Sequence, residues 1–250
     1  MAYSVIKKPS DYFNTKLWTG NGATQSITGV GFQPDFTWIK SRSAGSWHHM
    51  GDVVRGADKR LQTNSTNAES TVTTGITSWD SDGFSLGSNG DTNASSATFA
   101  SWNWLGANGT VANTDGSISS TVSANTTSGF SIVSFTGTGA NATVGHGLGV
   151  APKVVIVKKT SGTGDWYVYH GAISGMSGGY ITLNNTDGFY TNVTTFWNGD
   201  HSSTVVDLGS NNNSNGSSDN MIAYCFAEKQ GYSKFGSYTG NGSTDGTFVY

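Results

Sequence analysis

Short runs in which hydrophobic and polar residues alternate recur along this chain and predict β-strands throughout. Residues 118–124 place apolar side chains on one side and hydroxyls on the other, which is typical of a strand with one solvated face. Trp102 and Trp104 alternate with small polar residues in the same way. Residues 154–157 are apolar on both faces, which predicts a strand enclosed between two layers. No window has convincing helical periodicity, and we interpret the nearest approach, residues 52–61, as an irregular excursion.

The chain also repeats itself. An aromatic residue followed by Thr-Gly-x-Gly occurs at residues 18–22, 135–139 and 238–242, and the first two copies lie about 117 residues apart. A Gly-rich step, a proline and a strand ending in lysine follow each of those two copies, ending at Lys40 and Lys158. Self-similarity at this distance predicts two duplicated domains rather than short solenoid repeats.

The repeats and the turn signals together predict an all-β protein of two tandem β-sandwich domains. Asn21-Gly22 and Asn241-Gly242 favour type I′ hairpins, because Asn and Gly tolerate positive φ at both central positions. The predicted boundaries are an N-terminal arm at 1–14, a first repeat at 15–105, a linker at 106–116, a second repeat at 117–230, and the start of a third repeat or a C-terminal strand at 231–250.

The amino-acid composition disfavours some classes of binding partner. The chain has 35 Gly, only 12% charged residues and a net charge of -3, so it carries no basic footprint for nucleic acid. No apolar run approaches the length of a membrane span, and the N-terminus lacks the apolar core of a secretory signal. We therefore expect no nucleic-acid partner, no membrane insertion and synthesis in a cytoplasm.

Candidate chemistry is sparse, and we predict no catalytic, cofactor-binding or metal-binding residues. The chain has two glutamates, Glu69 and Glu228, at non-equivalent positions in the two repeats, which disfavours a paired-carboxylate hydrolase. Cys225, the single cysteine, is expected to be a small buried hydrophobe. Lys40 and Lys158 are expected to be charges at strand ends that keep the sheet rim soluble. The histidines, at 48, 49, 146, 170 and 201, have no metal-ligand spacing.

Acidic residues beside Gly and Asn leave one metal question open. Asp80 and Asp82 resemble the oxygen-rich loops that bind calcium, although the twelve-residue EF-hand pattern and its closing glutamate are missing. A turn held by side-chain hydrogen bonds is the simpler interpretation of the same residues.

Aromatic residues among small polar ones are the best candidates for contact with a ligand or a partner, because an aromatic face flanked by polar groups can engage a sugar or a protein surface. Trp197 has no counterpart in the first repeat and is predicted to be exposed. Trp47 and Trp166 recur between the repeats, which argues partly for core packing. The candidate contact residues are Trp197, Trp47, Trp166, Tyr167, Tyr169 and Tyr190.

Several longer motifs resemble a family of repeated β-domain proteins encoded by tailed phages, particularly marine ones. The matching stretches are Tyr12-Phe13-Asn14-Thr15-Lys16-Leu17, residues 19–22, 31–40, 54–57, 80–84, 99–104, 145–149 and 224–227. The resemblance implies concanavalin-like jelly-roll domains in a virion structural protein, most often a tail or tail-fibre component.

The resemblance also implies localisation in the virion, contacts with other virion proteins, and a homo-oligomer, possibly a trimer. The first hypothesis is a non-enzymatic tail or tail-fibre protein that contributes to assembly and host adhesion. A capsid decoration or cement protein is an alternative, with the N-terminal segment as an arm tied into the shell. A glycan-binding or glycan-cleaving sandwich that contacts a host surface glycan is the other.

Overall fold

Strands dominate the fold, as the alternating pattern predicts, and the computed structural model describes residues 4–248. The first half of the chain contains strands β1 (Phe13–Thr19), β2 (Gln25–Thr28), β3 (Phe36–Ser41), β4 (His49–Asp52), β5 (Gly56–Leu61), β6 (Ser70–Thr71), β7 (Ile76–Asp80), β8 (Gly83–Leu86) and β9 (Thr98–Trp104), with a short helix α1 (Gly90–Asn93) before β9. A 3-10 turn (Pro9–Asp11) precedes β1.

The second half also consists mainly of strands. Its strands are β10 (Val111–Asn113), β11 (Ser120–Asn125), β12 (Phe130–Thr136), β13 (Ala142–Gly145), β14 (Val154–Lys159), β15 (Tyr167–His170), β16 (Ile181–Thr182), β17 (Val205–Leu208) and β18 (Asn220–Phe226). A short helix α2 (Asn212–Asn215) precedes β18, and a second 3-10 turn (Met176–Gly178) lies between β15 and β16.

These strands form four sheets. A six-stranded sheet has the order β1-β9-β3-β4-β5-β6, and a seven-stranded sheet has the order β10-β11-β12-β18-β14-β15-β16. Strands β2, β8 and β7 form a three-stranded sheet, and β13 and β17 form a two-stranded one. Every pairing between these strands is antiparallel. The all-β fold and its layered sheets, consistent with a β-sandwich, confirm the sequence prediction at that level.

Three apolar clusters show how the sheets stack. Ile39 and Phe99 of the six-stranded sheet pack against Phe84 and other side chains of the three-stranded sheet. The other face of the six-stranded sheet packs on the seven-stranded sheet through Phe36 and Tyr224, together with Met50, Leu61, Phe130, Ile132, Trp166 and Ile222. A third cluster lies between the seven-stranded sheet and the β13–β17 pair. The two halves therefore lie face to face and share a central core.

Strand β14, which contains the apolar run at residues 154–157, lies between two layers of the fold. Val155 and Val157 are fully buried in the cluster on one side of the seven-stranded sheet, and Ile156 packs on the opposite cluster. The prediction of a strand enclosed between layers is confirmed, because both faces of β14 are covered by other sheets.

Two local predictions were wrong. Residues 52–61, interpreted as an irregular excursion, contain the end of β4 and the whole of β5, and their alternation is obscured because a β-bulge shifts the register between Met50 and Asp52. The Asn21-Gly22 turn is not a hairpin: β1 pairs with β9 and β2 pairs with β8, so the loop crosses from one sheet to another. Gly22 has a positive φ of 71°, but Asn21 is not among the positive-φ residues, as a type I′ turn would require.

The predicted linker is also structured. It contains β10, which pairs with β11, and it is tied to the first half by the buried carboxylate of Asp35. The Asp35 carboxylate accepts hydrogen bonds from the backbone N–H of Gly106 at 2.8 Å and from the hydroxyl of Ser123 at 2.9 Å. Burial raises the pKa of Asp35 above its usual value, while these hydrogen bonds act in the opposite direction.

Candidate binding surface

The inner face of the six-stranded sheet is organised in rows of paired residues that run across β1, β9 and β3. The first row, Phe13, Trp104 and Phe36, lies against the seven-stranded sheet, where Phe36 and Trp104 contact Phe130. The next row, two residues away on each strand, is Thr15, Trp102 and Trp38. The third row is Leu17, Ala100 and Lys40.

The second and third rows extend beyond the cover that the seven-stranded sheet provides. Trp102 is 37% exposed and Leu17 is 63% exposed, while Phe36 in the first row is 2% exposed. We call the part of this face formed by the exposed residues Thr15, Leu17 and Trp102 and the half-buried residues Trp38 and Ala100 the aromatic platform. Because its members come from three adjacent, paired strands, their relative positions are fixed by the sheet.

Ring packing orders the aromatic platform. Trp38 and Trp102 meet edge to face, with ring centroids 6.3 Å apart. The imidazole of His48 lies on the other side of Trp38, with a centroid separation of 6.1 Å. Edge-to-face contacts leave part of each indole face open, so the aromatic platform presents π surface to an incoming group.

Polar groups border the aromatic platform on the β3–β4 side. The Lys40 ammonium donates hydrogen bonds to the carbonyl oxygens of Ala44 and Ser46, both at 3.3 Å, and so holds the loop that leads to β4. The Nδ1 atom of His48 lies 3.0 Å from the hydroxyl of Thr63. Partial burial, followed by the charge of Lys40, lowers the pKa of His48 below its usual value.

The second and third rows of the seven-stranded sheet are covered more fully. Its second row is Ile132, Tyr224 and Ile156, of which Ile132 and Tyr224 have no exposed surface and Ile156 is half-buried. In its third row, Lys158 is fully buried, whereas Lys40 in the six-stranded sheet is half-buried. The six-stranded sheet therefore leaves more of its second and third rows exposed.

The structure separates the six aromatic residues predicted as contacts. Trp47 is 48% exposed, next to His48 in the chain, and Tyr190 is 38% exposed. The other four are buried, each with 7% exposure or less: Trp166, Tyr167, Tyr169 and Trp197. The expectation that Trp197 is exposed was wrong. Its ring packs on Phe196 and Tyr169, with centroids 4.9 Å and 5.8 Å away, so it belongs to the core beneath the seven-stranded sheet.

Trp47 and Trp166, which the sequence predicts to recur between the repeats, have different surroundings. Trp47 is 48% exposed, whereas Trp166 is fully buried. The ring of Trp166 stacks on Tyr224 at 6.5 Å, and its indole N–H donates to the Gln62 carbonyl at 2.9 Å, so it joins the two halves.

Residues 8–250 match the family described as a domain of unknown function (DUF7483). The chain belongs to the DUF7483 family. No curated protein and no solved structure matches it. No helix of this DUF7483 protein within residues 4–248 is long and apolar enough to cross a membrane.

A buried ionic network, which sequence reasoning missed, lies at the centre of the protein. Asp52 accepts hydrogen bonds from Arg55 Nε at 2.6 Å and from the Tyr224 hydroxyl at 2.7 Å. Arg55 also reaches Glu69 at 3.2 Å and the Met50 carbonyl at 3.3 Å. Because the charges are paired, burial does not leave an isolated ion. The acidic partners raise the pKa of Arg55 despite its desolvation.

Lys158 was wrongly predicted as a solvated charge at a strand end. Its side chain is fully buried, and its ammonium donates to the Lys159 carbonyl at 2.8 Å and to the Thr66 carbonyl at 3.4 Å. Burial lowers its pKa to about 8, with nearby Asp165 acting in the opposite direction. Cys225 is fully buried, as predicted, and burial raises the pKa of its thiol to about 12.

The two aspartates considered for calcium are used within the fold. Asp80 accepts hydrogen bonds from the hydroxyls of Ser78 at 2.8 Å and Ser85 at 2.7 Å. Asp82 accepts from the backbone N–H groups of Gly29 at 2.8 Å and Gly31 at 2.6 Å, which lowers its pKa. Among residues 4–248, no group of three or more His, Cys, Asp or Glu side chains is arranged to hold a metal ion.

Proposed function

We propose that this DUF7483 protein is a non-enzymatic structural protein of a tailed-phage virion, most simply a tail or tail-fibre component. It would be made in the host cytoplasm and assembled with other virion proteins and with copies of itself. The aromatic platform would be the surface that contacts a partner or the host. The viral setting rests on the motif resemblance, and the platform supplies the contact surface.

The architecture proposed with it is a pair of concanavalin-like jelly-roll units derived by duplication. The order β1-β9-β3-β4-β5 in one sheet and the order β12-β18-β14-β15-β16 in the other support this proposal. The β1–β2 loop of the first half and the β12–β13 loop of the second half support it further. The Asn93 amide donates to the Ala23 and Gly87 carbonyls, and the Asn215 amide donates to the Ala140 and Gly209 carbonyls.

The observation that carries the functional proposal is the unequal cover of the two large sheets. The face-to-face packing buries the rings of one sheet and leaves Trp102 and Leu17 exposed on the other. Among residues 4–248, the ion pairs of Arg55 with Asp52 and Glu69 lie outside the lining of the pockets and connect the β4–β5 turn to the segment before β6. A β fold with one exposed aromatic surface can support an assembly and contact a partner, and a virion component needs both properties.

Glycan binding is a second candidate function, favoured by the open indole faces of Trp38 and Trp102. Aromatic faces beside polar side chains are the usual elements of a sugar-contacting surface. Lys40, His48 and Thr15 supply such groups at the aromatic platform, and Trp47 adds a further exposed ring nearby.

Labelling of phage particles with an antibody to this protein tests the structural role. We expect the label at the tail, whereas label on the capsid would replace the tail assignment with the cement alternative. Absence of the protein from purified particles would overturn the virion proposal altogether.

A substitution tests the contact surface separately. Trp102→Ala removes the most central exposed ring, and Tyr238→Ala, which removes another exposed ring (69% exposed) outside the aromatic platform, is the control. We expect Trp102→Ala alone to reduce adsorption of particles to host cells. A glycan array with the same two variants distinguishes a sugar from a protein partner, and equal adsorption by both variants would contradict a role for the platform.

A further inference from the structure

A cavity lies between the two large sheets, on the side away from the aromatic platform. Its volume is about 620 Å³, within the range of 300–1,000 Å³ that is usual for small-molecule sites. The six-stranded sheet contributes Phe13 and Trp104, and the seven-stranded sheet contributes Phe130, Ile156 and Phe226. The C-terminal segment closes part of the cavity with Tyr232 and Phe235, as well as Ser233.

The walls are overwhelmingly apolar. Rings of Phe13 and Trp104 lie 4.7 Å apart, and those of Phe130 and Phe226 lie 5.1 Å apart, so aromatic pairs form much of the lining. Leu183, at 37% exposure, lies at the solvent-accessible part of the lining. Because burying apolar surface against such walls contributes about 25 cal/mol per Å², a hydrocarbon chain is the kind of group that gains most here.

The rim of the cavity is basic. Lys229 lies across Gly129, a lining residue, with its Cε only 2.9 Å from where a Cβ on that glycine would stand. Lys234 lies between two lining residues, Ser233 and Phe235. The ammonium groups of Lys229 and Lys234 form no ion pair with the residues that the structure describes.

Acidic groups beside the lining are fewer and already engaged. Asp11 pairs with Lys8 at 2.7 Å, next to the lining residue Pro9. Glu228 accepts a hydrogen bond from the backbone N–H of Phe235 at 3.1 Å. The net charge around the opening is therefore positive, although the chain as a whole has a net charge of -3.

We propose that this cavity binds a single-chain anionic amphiphile, a fatty acid. Its hydrocarbon chain lies along the rings between the two sheets, and its carboxylate lies at the rim beside Lys229 and Lys234. The inference is independent of the virion assignment, because it depends only on the shape, the apolar lining and the charge of this cavity.

Isothermal titration calorimetry of the full chain with decanoate, below its critical micelle concentration, tests the proposal. We expect saturable binding of one decanoate per chain. Leu183→Trp narrows the cavity and should weaken binding about tenfold or more by steric conflict. Val111→Trp adds bulk to an exposed aliphatic residue outside both the cavity and the aromatic platform, and this variant should bind decanoate like the wild type.

The charge of the ligand is tested with a double substitution. Lys229→Met with Lys234→Met should weaken decanoate binding about three- to tenfold, because exposed charge pairs contribute up to about 1 kcal/mol each. The same variant should bind the neutral analogue 1-decanol as the wild type does. An equal effect on both probes would overturn the anionic class of ligand.

Two other results would overturn the site itself. One is the absence of saturable decanoate binding, or equal weakening by the two tryptophan variants. The other is self-association of the ligand-free wild type in sedimentation experiments that Leu183→Trp abolishes and Val111→Trp does not, which would show that a second copy covers the cavity.

Discussion

The hydroxyl of Tyr224 donates a hydrogen bond to the carboxylate of Asp52 at 2.7 Å, and this bond joins the two large sheets. Tyr224 lies on β18 of the seven-stranded sheet, and Asp52 ends β4 of the six-stranded sheet. Both side chains are fully buried. The contact therefore links the two halves through a polar group that also pairs with Arg55.

Removal of this hydroxyl should weaken the interface without removing its apolar contacts. Tyr224→Phe keeps the ring that packs on Phe36 but deletes the donor to Asp52, and hydrogen bonds to charged groups contribute about 1.5–3 kcal/mol. We expect the free energy of unfolding to fall by about this amount in urea denaturation. Tyr12→Phe is the control, because the Tyr12 hydroxyl makes no hydrogen bond within residues 4–248. Equal stability of both variants would show that the bond does not hold the halves together.

Two buried asparagines, one in each half, should contribute similarly to the stability of the protein. Asn93 holds the β1–β2 loop and Asn215 holds the β12–β13 loop, each through several hydrogen bonds. Substitution of either by Ala leaves backbone groups unpaired and should reduce stability by about 2–4 kcal/mol.

Thermal unfolding of the two single variants, with Asn212→Ala as the control, measures this effect. Asn212 is exposed, lies one turn before Asn215 in α2, and should tolerate alanine. A large loss for one asparagine and none for the other would contradict the proposed equivalence of the two loops.

The sequence predicts the strands better than it predicts what covers them. Alternation identified the inner faces of β9 and β18, but Trp102 is 37% exposed whereas Tyr224 is fully buried. Periodicity reports which side chains share a face, and it is silent on how far the facing sheet extends. The exposed Trp102 and the half-buried Trp38 beside it were therefore missed as contacts.

Loop residues were misjudged for a related reason. Trp197 lies among Asn, Gly and Asp, which favours an exposed loop, but the loop turns inward and its indole packs on Tyr169 and His201. Local composition indicates a turn correctly and does not indicate which side chain the turn directs into the core. Lys158 was misplaced in the same way, because its burial depends on the loop around Thr66 from the other half.

Lys158 should make the stability of the protein depend on alkaline pH. Burial lowers its pKa from 10.5 to about 8, so between these values the unfolded chain binds more protons than the folded one. Stability should therefore rise as the pH increases from about 8 to 10.5, because the folded state no longer holds a buried charge. With allowance for solvent screening, we expect a gain of about 1–3 kcal/mol.

Urea denaturation at several alkaline pH values, compared between wild type and Lys158→Met, isolates this contribution. The methionine variant should lack the rise, while Lys40→Met, at the matching half-buried position, should keep it. A rise of the same size in all three proteins would assign the effect to other groups.

His49 should make the protein sensitive to acid. Its ring is buried with neither nitrogen hydrogen-bonded, and burial, followed by the charges of Arg60 and Arg55, lowers its pKa from 6.5 to about 3. The unfolded chain binds a proton near pH 6.5, whereas the folded protein does not. The free energy of unfolding therefore falls as the pH drops from about 6.5 towards 3. The loss from this one group approaches about 1.4 kcal/mol for each pH unit.

His49→Leu removes both the titration and the unpaired nitrogens. The variant should lose less stability than the wild type between pH 6.5 and pH 4, measured by urea denaturation, and the difference should be about 2–3 kcal/mol at the lower pH. His201 also has its pKa lowered to about 3 by burial, so part of the acid sensitivity should remain. Comparison of both proteins at pH 8, where neither histidine is protonated in either state, separates the packing effect of leucine from the titration. Parallel pH profiles for the wild type and His49→Leu would show that His49 takes up a proton within the folded protein.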